Sequence, residues 1–195
     1  MKSLLRVLIC SALLLPALAS AQQQDGPAEQ TAAKKAAAPE KGVKAPVKAG
    51  DTVPMFALKE FGGNFVFLKR YCGKSKKNTA VKAVLLDFFA TTCAPCVARL
   101  PALQALAGQY AAKGLETFLI SVDPKPEDVL PAFLKKKEVS LPILTDMYQK
   151  TLSNYGFSDV PQTVLIDEDC KAIYVEKPED KDYSAIIKHL DILLK

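Results

Sequence analysis

The sequence predicts an α/β fold with a central mixed β-sheet flanked by helices on both faces and an extra N-terminal β-hairpin. Three observations predict it. Ala83-Val84-Leu85-Leu86-Asp87-Phe88-Phe89 is a nearly continuous apolar run, as a central strand buried on both faces would be. Helical spacing follows from Cys96 to Tyr110, with Leu100, Leu103, Leu106 and Tyr110 on one side. A second apolar run, Thr117 to Val122, comes next, and this alternation of strand and helix builds layered α/β sheets.

The elements read in order as follows. Lys2 and Arg6 form a positive start, Val7 to Leu18 an apolar stretch, and Ala19-Ser20-Ala21 a small-residue cleavage site. Residues 1–21 are therefore expected to be a secretory signal peptide. The apolar stretch is short for a spanning helix, which needs roughly 20 residues, so an uncleaved membrane anchor is the lesser alternative. Residues 22–50 are rich in Gln, Ala, Lys and Pro and show no apolar period. They are expected to form a disordered linker, because such a stretch buries too little surface to offset the entropy of ordering it.

The domain is expected over residues 51–195. Met55 to Leu58 and Phe65 to Leu68 flank Gly62-Gly63-Asn64 as a hairpin. After the central strand and its helix, which Pro101 should kink, a helix opens at Pro126-Glu127-Asp128 and runs to about Lys137. Met147 to Asn154 is a short helix. Gln162–Ile166 and Ala172–Val175 are strands joined by a turn over Asp167–Lys171. Ser184 to Leu194 is an amphipathic helix with Ile186, Ile187, Leu190 and Leu194 as its apolar face.

Charge excludes one functional class. The chain carries a net charge of +5, but 19 basic and 18 acidic residues remain from Asp51 onward. The near-neutral domain does not predict a nucleic-acid surface, which needs a basic patch on the fold itself. With Cys10 inside the signal, four cysteines remain: Cys72, Cys93, Cys96 and Cys170. An even number in an exported protein suits disulfide chemistry.

Cys93-Ala94-Pro95-Cys96 stands where a buried strand turns into a helix. Unpaired backbone N–H groups and the helix dipole at that point favour a thiolate on Cys93. That thiolate can attack a disulfide, and Cys96, one turn on and more buried, can then resolve the mixed disulfide. The redox-active pair would itself be the working group, with no cofactor and no metal. Pro95 stiffens the turn. Asp87 is a carboxylate inside an apolar run, which is costly without partners or purpose. The expected purpose is to take and return the proton of Cys96 through a water, with its pKa raised by burial. The alternative is a solvated Asp at a strand irregularity.

These segments resemble a known family. Leu86 to Cys96 resembles the active-site segment of thioredoxins. Arg99 to Leu103, Ser121-Val122-Asp123, Leu141 to Asp146 and Tyr155 to Asp167 extend the match to the TlpA/ResA-like branch of exported thioredoxins, over roughly residues 51–195. The resemblance implies a thioredoxin fold, Cys93 as nucleophile, Cys96 as resolving thiol and a cis peptide bond at Val160-Pro161. It implies that Val160 and Pro161, with Thr92, Ala94 and Pro95 around the dithiol, meet a substrate peptide. It also implies periplasmic or secreted action on protein dithiols and disulfides, with a membrane-embedded reductant donor as a further partner. Reduction is favoured over oxidation, as in cytochrome c maturation or thiol homeostasis. The chain departs from the family by lacking Trp: Thr92 and Phe89 stand at the usual positions.

If Pro161 lies near the dithiol, the strand after it carries Cys170 to the opposite pole, where Cys72 feeds the central strand. A Cys72–Cys170 disulfide is then reasonable; two separate thiols are the alternative. Three rival functions would need other features. A zinc site would need a second Cys pair of suitable spacing. A peroxiredoxin-like peroxidase would place Thr where Ala90 stands. A non-catalytic binding module would not need both Cys and Asp87. The expected state is a monomer.

Overall fold

The computed structural model describes residues 44–176 and 182–195; the expected signal peptide, and the expected linker as far as residue 43, lie outside the described residues. Seven strands form one sheet: β1 (Ala57–Glu60), β2 (Phe65–Phe67), β3 (Ala83–Phe89), β4 (Leu115–Ser121), β5 (Ile143–Thr145), β6 (Gln162–Asp167) and β7 (Ala172–Val175). Their spatial order is β2-β1-β5-β4-β3-β6-β7. β3, β4 and β5 run parallel, whereas β6 and β7 on one side and β1 and β2 on the other join by antiparallel pairing. The helices are α1 (Ala94–Ala111), α2 (Pro126–Lys137), α3 (Lys150–Asn154) and α4 (Ser184–Leu193). This is a thioredoxin-like fold with a mixed sheet flanked by helices.

Strand alternation divides the core. Ala83, Leu85 and Phe89 of β3 face the side packed by α1, α2 and α4, with Leu103, Leu130, Ile186 and Leu190. Val84, Leu86 and Phe88 face the side packed by Leu152 of α3, Tyr155 and Phe157. Asp87 shares the α1 side with its neighbours at even spacing. Every residue of β3 is buried, as a strand central to the sheet requires.

Several sequence expectations are corrected. The linker ends before residue 50: Val47 is buried, its N–H donates to the Tyr155 carbonyl at 2.9 Å, and Gly50 and Asp51 exchange backbone hydrogen bonds with Ala172. A side chain at Gly156 (φ +76°) would meet the Ala45 carbonyl oxygen at 2.5 Å, so the glycine permits this close approach. The sequence pattern does not reveal β5, because three residues after a proline give no usable period. Its pairing with β1 makes the hairpin an arm of the main sheet. The short helix begins at Lys150, after Gln149 takes a left-handed conformation. On α4 the buried residues are Ile186 and Leu190, while Ile187 is 36% exposed at the helix edge. Pro101 lies within α1, which continues through it to Ala111.

Cys72 and Cys170 are bonded at the pole where β6 ends, with Cα atoms 5.1 Å apart and a sequence separation of 98. Both are buried, at 1% and 3% exposure. The Gly73 N–H donates to the Glu168 carbonyl and Lys76 pairs with Glu168 at 3.0 Å beside them. Closing so long a loop removes unfolded-chain entropy worth about 4.7 kcal/mol. The double variant Cys72→Ala/Cys170→Ala is expected to lose about that much in urea unfolding; a loss near zero would show that the bond holds nothing together.

Candidate active site

The site forms where the parallel strands end, the edge at which open α/β sheets place their chemistry. β3 stops at Phe89, and the loop after it is clamped from the end of β4. Asp123, 5% exposed, accepts from the Thr91 backbone N–H at 3.1–3.2 Å, from the Thr91 hydroxyl at 2.9 Å and from the Ser121 hydroxyl at 2.8 Å. The clamp fixes the chain two residues before Cys93.

Cys93 is the N-cap of α1 and Pro95 sits in its first turn. Cys93 and Cys96 are bonded to each other. The Cys96 backbone N–H donates to Cys93 Sγ at 3.2 Å, so a helix N-terminal amide points at the sulfur that would carry charge. The two cysteines differ in access: Cys96 is 2% exposed, whereas Cys93 is partly exposed. Beside Cys93, Thr92, Ala94 and Pro95 are exposed to solvent.

The Val160–Pro161 peptide is cis, and the Val160 carbonyl oxygen lies 3.8 Å from Cys93 Sγ. Proline lowers the cost of that isomer relative to any other residue. A groove of about 1230 Å³ opens beside them, lined by Pro95, Arg99, Val160, Pro161, Tyr174 and Glu176 among others. Thr92 lies across a smaller recess with Asp123, Gln149 and Val160. All these residues therefore meet at one pole, and Cys72 and Cys170 meet at the other end of β6.

Asp87 is 2% exposed and is not a solvated irregularity. Its Oδ2 accepts from the Thr163 hydroxyl at 2.8 Å, the Tyr183 hydroxyl at 3.0 Å and Arg99 Nη2 at 3.1 Å. Burial pushes its pKa up to about 6, against the lowering pull of Arg99 and the two hydroxyls. Arg99, one turn after Cys96 on α1, also pairs with Glu176 just past β7, and its guanidinium lies 5.0 Å from the centre of the Tyr183 ring. Burial opposes the guanidinium charge, but the Glu176 hydrogen bond and the Asp87 and Glu176 carboxylates outweigh it and hold the group charged.

Sequence reasoning missed Arg99, Thr163, Glu176, Tyr183 and Asp123 as site residues. Thr163 had a signal, a hydroxyl near the start of an otherwise apolar strand. Tyr183 and Glu176 had none, because they flank elements and reach the Asp87 cluster through the tertiary fold.

The profile of the AhpC/TSA family matches residues 49–175. The chain belongs to the AhpC/TSA family. It is 30% identical to the thiol-disulfide oxidoreductase ResA of Geobacillus thermodenitrificans over 66% of this chain and 68% of that one. The ResA of Halalkalibacterium halodurans is 29% identical over 62% of this chain, and the match spans 64% of that relative's length. A crystal structure from Chlorobium tepidum, described as a putative thiol:disulfide interchange protein DsbE, superposes with a TM-score of 0.65 at 28% identity, covering 76% of this chain and 99% of that one. Kinship and fold place this AhpC/TSA member with the thioredoxin-like thiol–disulfide oxidoreductases of ResA and DsbE type.

Proposed function

We propose that the protein works outside the cytoplasm as a reductant of disulfides in other proteins. One observation carries the reading: Cys93 Sγ is presented at a helix N-terminus 3.8 Å from the Val160 carbonyl, while its partner Cys96 is withdrawn to 2% exposure. A substrate strand would lie along the backbone at Val160, as an added strand. The reduced protein's Cys93 thiolate attacks a substrate sulfur, forming a mixed disulfide and expelling the other substrate sulfur as thiolate, which takes a proton from water. Asp87 removes the proton of Cys96; the Cys96 sulfur then bonds to Cys93 Sγ, and the first substrate sulfur leaves with the electron pair of the broken bond.

Sequence supports the location, through the signal-like residues 1–21. Among the described residues no helix is long and apolar enough to cross a membrane. The reducing direction is supported by a buried carboxyl, Asp87, on the α1 side of the sheet and by the lack of His between the cysteines. A peroxidase gains nothing from the geometry, since Ala90 holds the Thr position and the Thr91 hydroxyl is engaged by Asp123. A membrane-embedded donor would restore the dithiol, and cytochrome c maturation or general thiol upkeep are the tasks such a cycle suits.

Direction is read by trapping the thiols in living cells with acid and an alkylating agent. A Cys93–Cys96 pair found mainly as dithiol outside the cytoplasm supports the reading; a pair found fully oxidised makes the protein an oxidase.

A further inference from the structure

A strap ahead of the first strand, residues 46–49, lines the groove beside the dithiol. It is pinned at both ends. At one end Val47, 8% exposed, donates its N–H to the Tyr155 carbonyl at 2.9 Å. At the other, the Gly50 N–H donates to the Ala172 carbonyl at 2.7 Å and the Ala172 N–H to the Asp51 carbonyl at 2.9 Å. Between them the Asp51 N–H donates to the Lys48 carbonyl at 3.0 Å, and the Lys48 N–H donates to the Asp51 carboxylate at 2.9 Å. Pro46 has its φ fixed by its own ring. The strap is therefore held in place before any substrate arrives.

The same groove reaches the reacting sulfur. Val160 and Pro161 line it, and the Val160 carbonyl oxygen is the atom 3.8 Å from Cys93 Sγ. Ile173 and Val175 of β7, the edge strand on this side of the sheet, continue the lining. With Pro46, Val47, Ala49 and Phe157 they make it largely apolar. Lys48 and Arg99 balance Asp159 and Glu176 in number, so charge does not choose the occupant. The volume of about 1230 Å³ exceeds the roughly 300–1,000 Å³ of small-molecule pockets and suits several residues of polypeptide.

We propose that the groove takes an extended apolar segment of the substrate polypeptide next to its reacting cysteine, and that the strap Pro46–Ala49 selects it. This rests on the reading of Cys93 as the nucleophile toward protein disulfides. A chain added as a strand beside Val160 sends alternate side chains to opposite faces, and apolar ones on one face would fill the groove. Such a segment is accessible in a polypeptide that has formed a disulfide before completing its fold. A folded domain hides the same residues in its core, and a small disulfide has none. The strap thus turns a general thiol exchanger into one that prefers incompletely folded chains.

The test uses the intact reduced protein and two short peptides, each carrying one Cys as a mixed disulfide with a coloured aromatic thiol. One has Leu on both sides of the Cys, the other Ser. The wild type should favour the Leu peptide by at least about tenfold in kcat/KM, the discrimination that small differences of apolar contact give. The double variant Pro46→Asp/Ala49→Asp, checked for its fold by circular dichroism, should bring that ratio close to one, through KM rather than kcat. Pro46→Val/Ala49→Val should keep it. Equal use of the two peptides by the wild type, or a preference that survives the aspartates, would overturn the proposal and leave Cys93 as the nucleophile. Failure of the wild type to cleave either peptide would overturn the reading of Cys93 itself. A preference that appears only on dilution would assign the groove to a second copy of the chain, and one that appears only when residues 22–43 are cut away would assign it to that segment; either overturns the proposal.

Discussion

Cys96→Ser is expected to accumulate a mixed disulfide between Cys93 and a substrate protein, while Cys93→Ser loses exchange to the uncatalysed background. The two cysteines are not equivalent in the fold. Cys93 caps α1 and is partly exposed beside the cis peptide; Cys96 is buried one turn on, 2% exposed. Attack from outside therefore reaches Cys93 first, and removing Cys96 removes the step that frees the substrate. Non-reducing gels followed by mass spectrometry read both results. A trapped product bonded through Cys72 or Cys170 is not expected, because that pair is already bonded and is buried at the far pole. Finding the substrate on either of them, or finding no trapped protein at all, would contradict the assigned roles.

Asp87→Asn is expected to make the protein more stable and less active. Burial raises the Asp87 pKa from 3.8 to about 6. A carboxyl raised in this way contributes stability that is complete below pH 3.8 and lost as pH rises through about 6. A rise of that size corresponds to about 3 kcal/mol. The neutral Asn mimics the protonated acid, so the variant should gain up to about 3 kcal/mol over wild type at alkaline pH and almost nothing in mild acid, where the wild-type carboxyl is itself protonated. Urea unfolding on either side of the transition measures this. Release of substrate at neutral pH should fall about a hundredfold through loss of the proton acceptor. A variant less stable than wild type at alkaline pH would mean that the hydrogen bonds from Thr163, Tyr183 and Arg99 outweigh desolvation.

Much of the site was legible because its parts are local in sequence. The apolar run 83–89, broken by one acid and followed closely by Cys93 and Cys96, encodes a buried strand, a helix N-terminus and a dithiol in one segment. The cis bond at Pro161 became an expectation through family resemblance, since an X-Pro pair alone leaves the isomer open. The partners of Asp87 were not legible. Arg99, Thr163, Glu176 and Tyr183 come from separate parts of the chain, and which of them meet depends on sheet order and the placement of α4. β5 was hidden for a different reason: three residues carry too little pattern, and its partner β1 lies far earlier in the chain. The start of the domain was set too late because Val47, one apolar residue among Ala, Lys and Pro, gives no period although the fold buries it.

In this fold one sulfur of the dithiol meets the outside world and the other does not, and the proposed chemistry depends on that difference. Its most direct measurement is alkylation of the reduced protein with one equivalent of iodoacetamide at neutral pH, followed by peptide mapping. Label on Cys93 and none on Cys96 is the predicted result. Equal labelling, or label on Cys96 first, would contradict it.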